Sequence, residues 1–183
     1  MNRTLPALLF VLLPLFAQAH DHSHVEEHGS LGKHEHGVAS LNVALDGQTL
    51  EIQLESPAIN LVGFEHAASS EADKAKVATT HQQLEKPLAL FALPDEAQCA
   101  VQEIQLHSPL FGNTGHEHHA GHSHSDIDAD YRFTCANAET LQALELGNFF
   151  STFPGTHTLQ VQLIGPSGQQ GAELNSDNSR LSF

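Results

Sequence analysis

Leu41, Val43 and Leu45 alternate with Asn42 and Ala44, and Leu50, Ile52 and Leu54 alternate with Glu51, Gln53 and Glu55. Alternation of period two with one apolar side marks strands that bury one face, and the Asp46-Gly47 pair between the runs is a hairpin turn signal. Residues 38–55 are therefore predicted to form a β-hairpin. An apolar connector without clear period follows at 56–66. Ser70 and Asp73 then stand at capping-box spacing ahead of residues that favour helix up to Lys86, with Pro87 and Pro94 punctuating what comes after. Val101–Leu106 and Ile127–Cys135 are the next predicted strands, the second with Ile127, Ala129, Tyr131, Phe133 and Cys135 on one face. Asn137 is expected to cap a short helix carrying Leu141 and Leu144 and ended by Gly147. His157, Leu159, Val161 and Leu163 alternate with polar residues as a further strand, Gly165–Gly168 is a turn, and Ser179–Phe183 is a terminal strand. The pattern predicts one α+β domain on antiparallel sheet with a few short helices.

Two stretches carry no period at all. Residues 20–33 and 112–126 are low-complexity mixtures of His, Gly, Ser, Asp and Glu, expected to be a disordered tail and a disordered loop. Ahead of the tail, Arg3 precedes an apolar run from Leu5 to Phe16 that ends in Ala17-Gln18-Ala19. A basic start, a short apolar run and small residues at the end predict a secretory signal peptide over 1–19, cleaved after Ala19. The run is too short for a permanent membrane span. The expected organisation is signal peptide 1–19, His-rich tail 20–33 and a domain over 34–183 that carries the His-rich loop 112–126.

Charge narrows the partners. Against 22 Asp and Glu the chain has 7 Lys and Arg, for a formal net charge of −15 with His neutral. Such a chain repels nucleic acid and anionic lipid and attracts cations. Its only cysteines are Cys99 and Cys135. In an oxidising compartment a disulfide is the default expectation, with a free or metal-bound pair as the alternative. A bond would tie two antiparallel strands and leave the His-rich loop at their tip.

The candidate chemistry lies in the 15 histidines. His20, His22, His24, His28, His34 and His36 crowd the first low-complexity stretch and its border. His116, His118, His119, His122 and His124 crowd the second. Neutral imidazole is a good ligand for zinc, copper, nickel and cobalt, so two such clusters in one acidic chain point to metal capture. Flexible segments bind weakly because the ordering entropy must be supplied on binding. A tighter site needs ligands from folded chain. His34 and His36 point the same way in extended backbone. His66 closes the connector after Glu65, and His157 opens a strand. His24-Val25-Glu26-Glu27-His28 matches a metalloprotease pattern, but that pattern requires a packed helix, and none is expected in the tail. With no other hydrolytic constellation, no catalysis is expected. The mature start His20-Asp21-His22 would offer a square-planar site for Cu(II) or Ni(II).

His34-Glu35-His36-Gly37-Val38-Ala39-Ser40-Leu41-Asn42-Val43, Leu54-Glu55-Ser56-Pro57-Ala58 and Asn60-Leu61-Val62-Gly63-Phe64-Glu65-His66 resemble the ZrgA-type zinc-uptake proteins. Cys99 and Cys135, the His-rich loop between them and Phe153-Pro154-Gly155 also fit. The resemblance implies a non-catalytic periplasmic protein that binds Zn²⁺ beside an ABC-type zinc importer or its solute-binding protein. It favours His34, His36 and His66 as ligands, with Glu65 behind them. The rival reading is a periplasmic storage or detoxification protein for zinc, copper or nickel. Met1 is the only methionine, which speaks against Cu(I), an ion that prefers soft sulfur ligands.

Overall fold

The computed structural model describes residues 35–112 and 125–183. All lie in the compact unit His34–Phe183. The tail, His34 and the central part of the His-rich loop fall outside the described residues.

Strands β1 (Val38–Asp46) and β2 (Thr49–Pro57) form the expected hairpin, in register from Ser40 opposite Glu55 to Asp46 opposite Thr49. Strand β3 (Cys99–His107) pairs antiparallel with β4 (Asp126–Cys135), which pairs in turn with β2. On the other side of the hairpin, β6 (Thr158–Gly165) runs parallel to β1, and β7 (Gly168–Leu174) closes the edge antiparallel to β6. The strand order is β3-β4-β2-β1-β6-β7. A two-stranded ribbon joins β5 (Ala143–Glu145) to β8 (Arg180–Ser182). The α+β class and the mainly antiparallel sheet agree with the alternation in the sequence; the parallel β1–β6 pair was not foreseen.

One face of the sheet is apolar and buried. Leu41, Val43, Leu50, Ile52, Leu54, Ile127, Phe133, Leu159 and Leu163 are all essentially without solvent contact. They pack with Phe91, Phe149 and Phe153 from the segments that cross this face. Each such side chain contributes about 1.5–3 kcal/mol by leaving water. Tyr131 also lies in this layer, edge-on to Phe91 at 5.3 Å, and its hydroxyl donates to the Leu84 carbonyl at 3.1 Å. Burial pushes its phenol pKa upward, and Asp130 adds to the effect. The opposite face is polar. There Arg132 on β4 bridges Glu51 on β2 at 2.9 Å and Glu103 on β3 at 3.1 Å.

Helix α1 (Ala58–Val62) occupies the connector after β2, and α2 (Glu71–Leu84) begins at the predicted capping box. The Ser70 hydroxyl accepts from the Asp73 amide at 3.0 Å, and the Asp73 carboxylate accepts in return from the Ser70 amide. These bonds, led by the Ser70 side chain, hold the Asp73 pKa below its ordinary value. Short helices α3 (Pro87–Leu90) and α4 (Gly147–Thr152) complete the set. The expected helix over 137–147 is not formed. Asn137 makes no side-chain cap, its segment splits into a single turn at Ala138–Thr140 and strand β5, and Gly147 starts a helix instead of ending one. The reason is tertiary: Leu144 pairs with Leu181 of β8, and both are buried.

Cys99 and Cys135 stand directly opposite in the β3–β4 ladder and are bonded to each other. The cross-link spans a sequence separation of 36, for which loop entropy gives a stabilisation of about 4 kcal/mol. Among the described residues no helix is long and apolar enough to cross a membrane.

Candidate metal site

Glu35-His36-Gly37-Val38 makes a tight turn into β1, closed by the Val38 amide donating to the Glu35 carbonyl at 3.0 Å. Gly37, the third residue, has φ of +88°, the conformation that position requires in a type II turn and that glycine adopts without strain. His36 is thereby held at the outer corner of the turn, exposed. Across from it the connector after α1 brings Glu65 within reach. His36 Nε2 lies 3.3 Å from both carboxylate oxygens of Glu65. As a surface ion pair this contact would contribute little to stability. As a metal-binding pair its spacing is apt. Two ligands each about 2.05 Å from a zinc ion at a tetrahedral angle are themselves about 3.3 Å apart.

His66 follows on the same connector. Its ring stacks on buried Phe64 at 4.6 Å with an interplanar angle of 14°, and its Nδ1 lies 3.1 Å from the Ala67 carbonyl. An Nδ1–H donated to a carbonyl fixes the tautomer and leaves the Nε2 lone pair for a metal, the usual outer support of a ligating imidazole. His157 lies just before β6 with its ring against the turn. A Cβ on Gly37 would fall 2.9 Å from His157 Nδ1. The Gly37 carbonyl accepts from the backbone amides of His157 at 2.7 Å and Thr158 at 2.9 Å.

The structure therefore joins His36 to Glu65 and sets His66 and His157 on the segments around them. Among the described residues no three His, Cys, Asp or Glu side chains converge as a metal-holding group. His34, together with His20, His22, His24, His28, His116, His118, His119, His122 and His124, lies outside the described residues. Glu65, ranked behind the histidines on sequence grounds, is the residue in contact with one of them. Asn60, not among the candidates from sequence, is buried beside the turn and hydrogen-bonded to it. Its signal was present: it is the only polar residue in Ala58-Ile59-Asn60-Leu61-Val62.

Register places this corner relative to the rest of the sheet. Val38 pairs with Thr158, Pro57 with Asp126, and Asp128 with His107, so all these residues mark one end. The His-rich loop leaves and re-enters the described chain at that end. Ser125, where it re-enters, accepts a hydrogen bond from the Ala58 amide at 2.9 Å. Charge at this end is negative. Asp128 lies opposite Glu55. Burial, then Glu55, Asp126 and Asp130, push its pKa up to about 6, with His107 opposing. A negative field of this kind raises the local concentration of cations.

A family model described as ZrgA family zinc uptake protein matches residues 33–183. No curated protein matches the chain.

Proposed function

The chain belongs to the ZrgA family of zinc uptake proteins and so has a role in zinc uptake; from that premise we propose that it is a periplasmic, non-catalytic protein that captures Zn²⁺ and passes it to an ABC-type importer or its solute-binding protein. One ion is held at the corner of His36, Glu65 and His66, with His34 or His157 completing its shell. The tail and loop histidines collect further ions more weakly.

The observation that carries this reading is the 3.3 Å pairing of His36 with Glu65 at the end of the sheet where the His-rich loop is rooted. Residues 20–33 also run in sequence directly into His34-Glu35-His36. Ligands tethered near a site act at an effective concentration that reaches the millimolar range for short flexible linkers. Weak capture beside a preorganised pair suits a carrier, because an ion passed along must also leave. A zinc hydrolase would need an ordered ion with an open coordination position and a nearby base.

The test is growth under zinc starvation. A strain lacking the protein should grow poorly in chelated medium. The wild-type chain should rescue it, and a chain with His36, Glu65 and His66 changed to Ala should not. Normal growth in chelated medium, with sensitivity appearing only under zinc excess, would replace uptake with storage or detoxification.

A further inference from the structure

Asn60 is 3% exposed, and every polar atom of its side chain is in use. Its Oδ1 accepts from the Gly37 amide at 2.7 Å. Its Nδ2 donates to the Val38 carbonyl at 2.9 Å and to the Ser56 hydroxyl at 3.3 Å. A carboxamide offers two hydrogens and an oxygen, so this set engages them all.

The location explains why a side chain is needed. The β1–β2 register begins at Ser40 opposite Glu55, so Gly37 and Val38 precede the paired part of β1 on that side. Asn60 takes the place of a strand neighbour there, one donor and one acceptor along the edge of the turn. On the other side the Gly37 carbonyl is held by the His157 and Thr158 amides. The turn that presents His36 is thus gripped from both sides, and on the β2 side the grip is a single residue. Asn60 also reaches the segment before His157 through its backbone. Gly155 lies so close that a Cβ there would be 2.6 Å from the Asn60 carbonyl oxygen. Helix α1, which carries Asn60, leads through Gly63 into Glu65 and His66. One buried side chain and its peptide thus contact the turn of His36 and the loop before His157, on the helix that leads to Glu65.

We propose that Asn60 is the positioning residue of this corner: its carboxamide fixes the turn that brings His36 to Glu65 and, through Gly37 and Gly155, seats His157. The proposal rests on the reading of the corner as the tight zinc site. Asn60 touches no ion; it acts through the backbone of Gly37 and Val38. Outer supports of this kind change metal affinity by roughly 10- to 100-fold when removed.

A merely structural Asn60 would lower the melting temperature and leave the affinity of the folded protein alone, so the test reads both in the full exported chain. Zinc affinity of the tightest class is measured by competition with a chromophoric chelator, well below the melting temperature of each variant. The Co²⁺-loaded protein is compared by its visible absorption. Asn60→Ala should weaken the tightest class by about tenfold or more and change the Co²⁺ spectrum. Asn60→Asp keeps the acceptor for Gly37 but turns a buried carboxylate oxygen against the Val38 carbonyl in place of the donor, and should lose affinity as well. Gly155→Ala displaces Asn60 without altering it and should reproduce the loss. Ser56→Ala removes only the longest contact; it should lower the melting temperature and spare affinity and spectrum. If Asn60→Ala does not fold, Asn60→Asp and Gly155→Ala decide. Folded Asn60 or Gly155 variants with wild-type affinity and spectrum would overturn the proposal. Failure of the zinc reading would look different: the unaltered chain would then show no tight class removable by His36→Ala.

Discussion

The two ends of the main sheet are built for different tasks. At one end the β1–β2 hairpin turns at Asp46–Thr49, β6 turns into β7 at Gly165–Gly168, and the Cys99–Cys135 bond closes the β3–β4 edge. Backbone ladder and covalent bond hold that end. At the other end lie His36 beside Glu65, His157 against the Gly37 turn, His66 on the connector after α1 and His107 at the end of β3, and His81 lies edge-on to Phe111 at 4.8 Å, just past β3. Among the described residues the first end carries no histidine. The second carries all of them, together with the roots of the His-rich loop and a row of carboxylates. The difference separates stability from chemistry. On the proposed reading, a covalent staple far from the candidate ligands lets their end of the sheet be held by lighter contacts, such as the three hydrogen bonds of Asn60.

The largest expected effect comes from breaking the stapled end. Changing Cys99 and Cys135 together to Ser should lower stability by about 4 kcal/mol, with loss of the loop-entropy term. Urea unfolding would measure it. If the two ends are independent, the affinity of the tightest zinc class changes little in the same variant. A parallel loss of zinc affinity would show that the staple also shapes the ligand end.

Breaking the ligand end should do the reverse. His36→Ala or Glu65→Ala should weaken the tightest zinc class by at least about tenfold, which is about 1.4 kcal/mol. The melting point of the metal-free protein should hardly move, because exposed pairs contribute little to folding. Competition titration alongside thermal melts checks both halves.

The ligand end should also answer to pH. Zinc requires neutral imidazole, and unperturbed histidine titrates near pH ~6.5, so affinity should fall steeply between about pH 7 and 5.5. An affinity flat over that interval would assign the binding to carboxylates.

The smallest effect concerns Asp128. Its folded pKa is raised to about 6, so protonation favours the folded state. The destabilisation from its charge is absent near pH 4, grows as pH rises toward 6 and is complete above it. Asp128→Asn should therefore raise the melting temperature at pH 7.5, with the gain vanishing near pH 4. A gain independent of pH would trace to packing instead of charge.

Much of the scaffold was legible in the sequence because it is local. Period-two alternation and Asp46-Gly47 specify the hairpin, Ser70 and Asp73 specify the start of α2, and two lone cysteines make a mutual bond the default, which the structure contains. The parallel pairing of β1 with β6 was not legible, since its partners lie more than a hundred residues apart and no turn joins them. Strand β7, Gly168–Leu174, has almost no apolar pattern. Leu174 is its only fully buried residue, and the strand exists by pairing with β6. The site was legible as residue types and not as contacts. His36 and Glu65 are 29 positions apart, and only the folding of α1 against the turn brings them within 3.3 Å.

On the proposed reading the tight ion sits on the folded corner and the weaker ions on the His-rich segments. Isothermal titration of two variants tests it directly. Deleting Gly115–His124 removes five histidines from the stretch between β3 and β4, and changes in connector length cost little free energy. It should lower the number of zinc ions bound and leave the tightest class nearly intact. Changing His34, His36 and His66 together to Ala should abolish the tightest class and spare the weaker ions. Loss of the tightest class on loop deletion, with its survival in the triple variant, would contradict the account.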